Sequence, residues 1–175
     1  NEHGEGSLMQ AAKSAASANE CETVGRGEQD LAAILYTSGT TGRSKGAMLT
    51  HRNLSSNARS LSEFWGWRQD DVLLNALPIF HVHGLFIASH CALLNGTPMI
   101  FRSKFVAEDV FAALPDCTVL MGVPTFYTRL LQQPGLNREH VSNVRVFICG
   151  SAPLTEQTFA AWEQATGCLL YTSPS

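Results

Sequence analysis

The stretch YTSGTTGRSKG, residues 36–46, carries residue types that bind anions. Gly39, Gly42 and Gly46 let the backbone turn tightly and approach a ligand closely. Successive backbone N–H groups in such a loop form an anion-binding nest, and hydroxyls and a lysine add donors suited to phosphate. These side-chain donors are Thr37, Ser38, Thr40, Thr41 and Lys45. The density of donors favours a phosphate-binding loop over a flexible surface loop.

The same stretch departs from the common P-loop pattern, GxxxxGK[ST]. Counted from Gly39, Ser44 stands where that pattern has its second glycine, and Gly46 stands where it has a Mg²⁺-binding hydroxyl. The departure argues against a Walker-type NTPase or kinase module, which would form ADP rather than AMP.

A second group of candidate residues lies in LPIFHVHG, where His81 and His83 flank one residue. In an extended segment both side chains point to one face. Three interpretations compete. The histidines could bind a metal with His90 and Cys91, although a four-ligand spacing is not evident. They could be structural, bonded to backbone groups. They could also line a pocket for a carboxylate.

Two further segments join a strand to a helix. In MGVPTFYTRLL, Gly122 permits close approach and Pro124 can start a helix that carries Arg129. Spacing alone leaves Arg129 equally well explained as a solvated arginine. In CGSAPL, small residues bring the backbone close to a flat ligand, although an ordinary strand-to-helix turn has the same composition. These small residues are Gly150, Ser151, Ala152 and Pro153.

Alternating strands and helices must position these loops. The apolar runs LAAILY, VLLNALP, PMIF, TVLMGVP and VRVFICG predict buried strands. Helices are predicted in the segment capped by Thr50 and closed by Gly66, in HGLFIASHCALLNG, VAEDVFAAL and TFYTRLLQQ, and in LTEQTFAAWEQATG, capped by Thr155. The pattern predicts an α/β fold with a mainly parallel sheet and helices on both faces. Ligands of such sheets bind beyond the carboxyl ends of the strands.

Composition narrows the function further. The 175 residues carry a net charge of −3, which argues against a nucleic-acid surface. Charged residues make up 15%, against roughly 25% in a typical soluble domain, which predicts an interior piece of a larger protein. No signal peptide or membrane span is predicted. Five dispersed cysteines predict reduced thiols in a cytoplasmic protein, with an organellar matrix as the other option.

The stretch YTSGTTGRSKGAMLTH resembles the phosphate-binding signature of the adenylate-forming superfamily, the acyl-CoA synthetases and their relatives. The resemblance implies formation of an acyl-adenylate and pyrophosphate from ATP and a carboxylate, followed by acyl transfer to a thiol, usually CoA. It also implies that Mg²⁺ arrives with ATP rather than in a protein cage. The residues that it assigns to the phosphates are Thr37, Ser38, Gly39, Thr40, Thr41, Gly42 and Lys45.

The other segments extend the resemblance. LPIFHVHG is similar to the P-x-F-H-x-x-G segment beside the acyl site, and CGSAPL resembles the adenine-binding segment, here Gly150, Ser151, Ala152 and Pro153. Together with MGVPTFYTRLL they resemble malonyl-CoA synthetases, in which this arginine binds the second carboxylate of the acid. A guanidinium suits that role because it offers a bidentate fork. The acyl or carboxylate residues implied are His81, His83, Gly122, Val123 and Arg129.

The resemblance covers residues 30–167 and predicts a partial AMP-binding domain, preceded by a connector at 1–29 and followed by an atypical tail at 168–175. The family's catalytic lysine belongs to a domain outside this chain, so we predict no catalytic residue, no protein metal site and no activity for these residues alone. The predicted partner is a small carboxylic acid, chiefly a dicarboxylate, and the oligomeric state stays open. Alternatives are a medium- or long-chain acyl-CoA ligase and a non-catalytic nucleotide-binding fragment.

Overall fold

A computed structural model describes residues 23–37 and 45–172, together with residue 10. The predicted connector lies largely outside these residues, as do residues 38–44 of the candidate phosphate loop and the last three residues of the tail.

Within these ranges the strands are β1 Leu31–Thr37, β2 Lys45–Thr50, β3 Leu73–Asn75, β4 Met99–Phe101, β5 Val119–Gly122, β6 Val146–Cys149 and β7 Leu170–Thr172. The α-helices are α1 His51–Phe64, α2 His90–Asn95, α3 Ala107–Ala113, α4 Pro124–Leu130 and α5 Glu156–Thr166. A π-helix, His83–Ser89, runs directly into α2, and a 3₁₀ turn, Leu114–Asp116, follows α3. No helix in the described part of the chain is long and apolar enough to cross a bilayer.

Five strands form a parallel sheet in the order β4-β3-β5-β6-β7. Every residue of β3, β5 and β6 is buried, which explains why their sequences are continuous apolar runs rather than alternations. Leu120 of β5 lies between Leu74 and Phe147 in the register. The predicted α/β class is confirmed.

The helices form two groups because the chain reverses direction in the sheet. The π-helix and α2 carry the chain from β3 outward to β4, whereas α3, α4 and α5 carry it back across the sheet and on to β7. Since crossover connections are right-handed, the two groups cover opposite faces. The chain therefore leaves β3 and β5 toward different faces, and this opens a crevice at their carboxyl ends.

The run LAAILY forms β1 as predicted, but its predicted burial is wrong. β1 pairs antiparallel with β2 in a separate two-stranded sheet and takes no place in the parallel sheet. Tyr36 is 75% exposed and Ile34 47% exposed. An apolar run of this length fits a buried strand and a hairpin strand equally well, and the sequence analysis missed the partner strand KGAMLT.

Helix ends follow the predicted signals. Thr50 caps α1 through a reciprocal box with Asn53, in which the Asn53 N–H donates to Thr50 Oγ1 at 3.2 Å. Thr155 caps α5 by accepting from the Thr158 N–H, and Gly167 ends that helix in the left-handed conformation. Residues 170–172 of the predicted tail form β7, which pairs in parallel with β6. The domain boundaries proposed from sequence stay predictions.

A buried carboxylate ties the opposite, amino-terminal edge of the sheet together. Asp71, 1% exposed, precedes β3 and accepts hydrogen bonds from the side chains of Arg145 and Thr118 and from the Arg68 N–H. Burial alone raises the pKa of Asp71, but these hydrogen bonds and the Arg145 charge outweigh it, so the pKa lies below its usual value. Asp71 is therefore an ionised clamp between the strands.

Candidate active site

The crevice gathers three of the four segments singled out from the sequence. Residues 76–82 follow β3, Gly122 ends β5 and Val123 follows it, and residues 150–155 follow β6. The Gly150 N–H donates to the Gly122 carbonyl at 3.1 Å, which joins the ends of β5 and β6. Segments that are far apart in the sequence thus meet at one edge of the sheet.

His83 lies at the centre of this arrangement. It is 5% exposed, and its Nδ1 is 3.0 Å from Ser151 Oγ. Its backbone N–H donates to His81 Nδ1 at 3.2 Å. Burial, with a smaller contribution from His81, lowers the pKa of His83 from 6.5 to about 4. The ring is therefore neutral at pH 7 and presents a polar atom to the CGSAPL segment without a charge.

The lowered pKa of His83 predicts that the free energy of unfolding depends on pH. The unfolded chain takes up the proton near pH 6.5 and the folded chain only near pH 4, so the unfolded state binds more protons between these values. We expect His83 to reduce the free energy of unfolding by up to about 3 kcal/mol as the pH falls from 7 to 4. Urea unfolding of wild type and His83→Asn across this range measures the difference. An equal pH dependence in both proteins would contradict a buried neutral His83.

Asn75 is a site-building residue that the sequence analysis missed. It is fully buried at the end of β3, where its Oδ1 accepts from the Leu77 N–H at 3.1 Å. Its Nδ2 donates to Ser89 Oγ at 3.2 Å, and Ser89 donates to the Gly84 carbonyl at 2.8 Å. The side-chain amide of Asn75 thereby holds both ends of the segment 77–89, which contains His81 and His83. The available signal was a lone asparagine in an otherwise apolar strand.

Close backbone packing at Gly84 also fixes the segment that contains His81 and His83. A Cβ at this position would lie 2.4 Å from the Pro78 carbonyl oxygen, a backbone atom that cannot move aside on its own. This close approach, together with the Ser89–Gly84 hydrogen bond, accompanies the π-helical turns at the start of the predicted single helix. The helix was predicted correctly, whereas its π-helical first half was not predicted.

We predict that Gly84→Ala destabilises the protein by about 1–3 kcal/mol, because the added methyl group overpacks the loop. Displacement of the adjacent His83 should also weaken ligand binding at the crevice. Gly25→Ala is the matched control, since a Cβ there meets nothing within 4 Å. Urea unfolding of both variants measures the difference, and equal stabilities would show that the loop accommodates the methyl group.

A cavity of about 60 Å³ lies between His83, Ser151 and the neighbouring helices. Its other lining residues are Leu61, Trp65, Ile87, Ile148 and Gly150. A larger groove of about 620 Å³ runs between the β1–β2 hairpin, α1 and the π-helix, and Val82, Phe86 and Ile87 form one wall. The groove links the hairpin to the histidine-bearing segment.

Two of the candidate phosphate-binding residues, Thr37 and Lys45, lie in the β1–β2 hairpin. Thr37 ends β1 and pairs in register with Lys45, the first residue of β2. Lys45 is exposed. Ser38, Gly39, Thr40, Thr41 and Gly42 lie outside the described residues, and their role in phosphate binding stays a prediction.

Arg129 is not among the residues lining the His83–Ser151 cavity. It lies in the last turn of α4, exposed, with its guanidinium carbon 5.2 Å from the centre of the Phe105 ring. Phe105 in turn stacks on Phe126, with ring centres 3.8 Å apart. Val123 caps α4, and a Cβ at Gly122 would lie 3.0 Å from the Phe126 ring. The lack of a side chain at Gly122 thus lets α4, the helix that carries Arg129, pack closely against the end of β5.

Two of the earlier alternatives can be compared with the geometry. No three His, Cys, Asp or Glu side chains in the described ranges are grouped closely enough to hold a metal ion. His90 packs edge-on against Phe86, and burial lowers the pKa of its ring. Cys91 is fully buried, and burial raises the pKa of its thiol to about 11, so it is not poised as a thiolate ligand. The structural alternative is met in part, because the His83 backbone N–H donates to His81 Nδ1, and a carboxylate pocket beside His81 and His83 stays a prediction.

The site is thus the carboxyl edge of a five-stranded parallel sheet, where the His-bearing and small-residue loops meet. Residues 2–173 match the AMP-binding enzyme family. The chain belongs to this family.

The chain is also similar to individual proteins. The chain is 50% identical to apo MatB from Rhodopseudomonas palustris over 99% of its own length and 34% of that chain, with a TM-score of 0.92. Against ATP-bound MatB from the same organism the values are 51% identity, 97% and 33% coverage and a TM-score of 0.88. It is 38% identical to the mitochondrial malonate–CoA ligase of Mus musculus, over 78% of this chain and 26% of the relative. The chain thus spans about a quarter to a third of the length of these relatives.

Proposed function

We propose that the protein containing this chain is an AMP-forming acid–CoA ligase and that its acid is a dicarboxylate, malonate. The observation that carries the proposal is the convergence of the LPIFHVHG and CGSAPL segments at one crevice through the 3.0 Å contact between His83 and Ser151. The family membership and the malonate–CoA ligase name of the Mus musculus relative support it.

The chemistry explains why such a protein needs this arrangement. A carboxylate does not react with a thiol, because oxide would have to leave. Joining the carboxylate to AMP makes a mixed anhydride with a good leaving group and releases pyrophosphate. Attack by the CoA thiol then forms the thioester and releases AMP. Two anions, the acid and the α-phosphate, must be held together against their repulsion, which preorganised donors accomplish.

In this proposal each segment has one task. The hairpin loop with Thr37 and Lys45 holds the outer phosphates of ATP. The backbone of Gly150, Ser151, Ala152 and Pro153 faces the adenine. The crevice beside His81, His83, Gly122 and Val123 takes the acid.

The proposed task of Arg129 is to pair with the carboxylate that does not react. Its guanidinium lies exposed over the Phe105 ring, and this aromatic contact orients the fork without using its hydrogen-bond donors. A free carboxylate can therefore bind both donors of the fork.

Mg²⁺ would neutralise phosphate charge when bound with ATP. In this proposal the ion arrives with the nucleotide rather than in a protein cage. We further propose a cytoplasmic or organellar-matrix location, and the mitochondrial name of the Mus musculus relative supports the second option.

The test is to recover the complete reading frame, express the protein and measure AMP formation from ATP and CoA with malonate or with butyrate. AMP with malonate and not with butyrate is the expected result. AMP with butyrate alone would retain the ligase and overturn the dicarboxylate pocket, in favour of a fatty acyl ligase. ADP in place of AMP, or no nucleotide-dependent reaction with any acid, would overturn the ligase itself.

A further inference from the structure

Ser151 has a strained backbone at the centre of the crevice. Its φ of 65° makes it the only non-glycine residue with a positive φ in the described part of the chain. A residue with a Cβ loses about 1–2 kcal/mol in this left-handed region. Such strain persists only where the surroundings impose it, and it is concentrated at ligand sites.

Little besides His83 opposes relaxation of Ser151. The serine is exposed, so packing does not hold it. The preceding residue, Gly150, is fixed by its hydrogen bond to the Gly122 carbonyl, but the described structure gives the Ser151 side chain one partner, His83 Nδ1 at 3.0 Å. Depending on the tautomer of His83, the serine hydroxyl either donates to Nδ1 or accepts from it.

His83 is held rigidly enough to act as this anchor. Its backbone N–H is bonded to His81 Nδ1, and the next residue, Gly84, is pressed against the Pro78 carbonyl. The Gly84 carbonyl accepts from Ser89, which Asn75 holds from β3. The imidazole is therefore fixed by the sheet, whereas the serine that it contacts follows a different strand.

We propose that His83 and Ser151 form a positioning pair, in which the ring holds Ser151 left-handed and so sets the nucleotide-facing backbone against the acid-facing loop. This inference rests on the proposed function for the identity of the two ligands. Neither residue is assigned a chemical step. The pair couples the two halves of the crevice, so a change in either residue alters the shape of the segment 150–155.

Substitutions at the two positions distinguish the His83–Ser151 hydrogen bond from the backbone strain of Ser151. Ser151→Ala loses the hydroxyl and keeps the strained Cβ, so we expect its backbone to relax and the Kd of ATP with Mg²⁺ to rise about three- to tenfold. Ser151→Gly also loses the hydroxyl but adopts the left-handed conformation without strain, so its loss should be smaller. His83→Leu should match Ser151→Ala. His83→Asn, which keeps a polar atom near the Nδ1 position, should recover most of the affinity.

The experiment uses the complete protein and two measurements. Hydrogen–deuterium exchange of the ligand-free protein should show faster exchange over residues 150–155 in both Ser151→Ala and His83→Leu. The double variant should be no worse than the worse single one, because both changes remove one interaction. Ser142→Ala, at an exposed serine in a turn, is the matched control and should leave exchange over residues 150–155 unchanged.

The outcomes are distinct. Unchanged exchange in the single variants, or effects that multiply in the double variant, would overturn the pair. Faster exchange with an unchanged Kd for ATP would overturn its role in positioning the nucleotide. Failure of the proposed function appears separately, as absence of AMP formation by the unaltered protein, and leaves the exchange comparison valid.

Discussion

Replacement of Arg129 by alanine is expected to lower kcat/KM for malonate by about 10²-fold or more, with little change in the Kd of ATP. In the proposed complex the bound acid takes the guanidinium, exposed in the ligand-free chain, out of water, and truncating one partner of such a desolvated, hydrogen-bonded charge pair costs about 2–5 kcal/mol. The fold should survive, because Arg129 is exposed and its contact with Phe105 contributes only about 0.5–1 kcal/mol. Activity with butyrate should not fall, since butyrate has no second carboxylate to lose a partner.

Two variants make this prediction specific. Arg129→Lys keeps the charge and loses the bidentate fork, so it should lie between wild type and alanine. Arg138→Ala is the matched control, because Arg138 is an exposed arginine whose side chain lies beside Gly167, at the end of α5. Steady-state kinetics with malonate measure kcat/KM for each of these variants. If Arg129→Ala retains malonate activity, Arg129 is a surface arginine of α4 and the dicarboxylate pocket lies elsewhere.

The parallel sheet and most helix ends could be predicted from the sequence because their determinants are local. A run such as TVLMG is apolar throughout only if both faces of its strand are buried. Thr50, Thr155 and Gly167 act within one turn of the helix they bound, so neighbouring residues suffice to identify them. LAAILY was predicted wrongly as buried, because the identity of its partner strand, and not its own composition, determines its exposure.

The site could be predicted only in part for the same reason. The motifs identified the loops, but the contacts that shape them are long-range. His83 and Ser151 are 68 positions apart, and Asn75 reaches Ser89 only through the turn of the π-helix. Nothing near Ser151 in the sequence indicates a left-handed backbone, and its side-chain partner His83 lies at the start of the π-helix, far away in the sequence.

The Asp71–Arg145 pair, 74 positions apart, is the long-range contact whose loss should destabilise the fold most. We expect Asp71→Asn to lower the free energy of unfolding by about 3 kcal/mol, because removing one partner of a buried ion pair leaves an uncompensated charge. The value lies at the low end of the usual range, since the Arg145 side chain is 22% exposed and can be partly solvated. Asp70→Asn, at the exposed neighbouring aspartate, should change stability by less than about 0.5 kcal/mol.

The acid dependence provides an independent check of the same pair. The folded pKa of Asp71 lies below its ordinary value of 3.8, so its contribution to stability is present above that value and is lost as the pH falls through the folded pKa. Urea unfolding at pH 7 should therefore separate wild type from Asp71→Asn, and the gap should narrow as the pH falls below 3.8. A gap that stays constant down to the lowest pH at which the protein folds would mean that the shape of the side chain, rather than its charge, holds the strands. Because Asp71 lies at the edge opposite the crevice, this loss of stability should leave the Kd of ATP unchanged in the protein that remains folded.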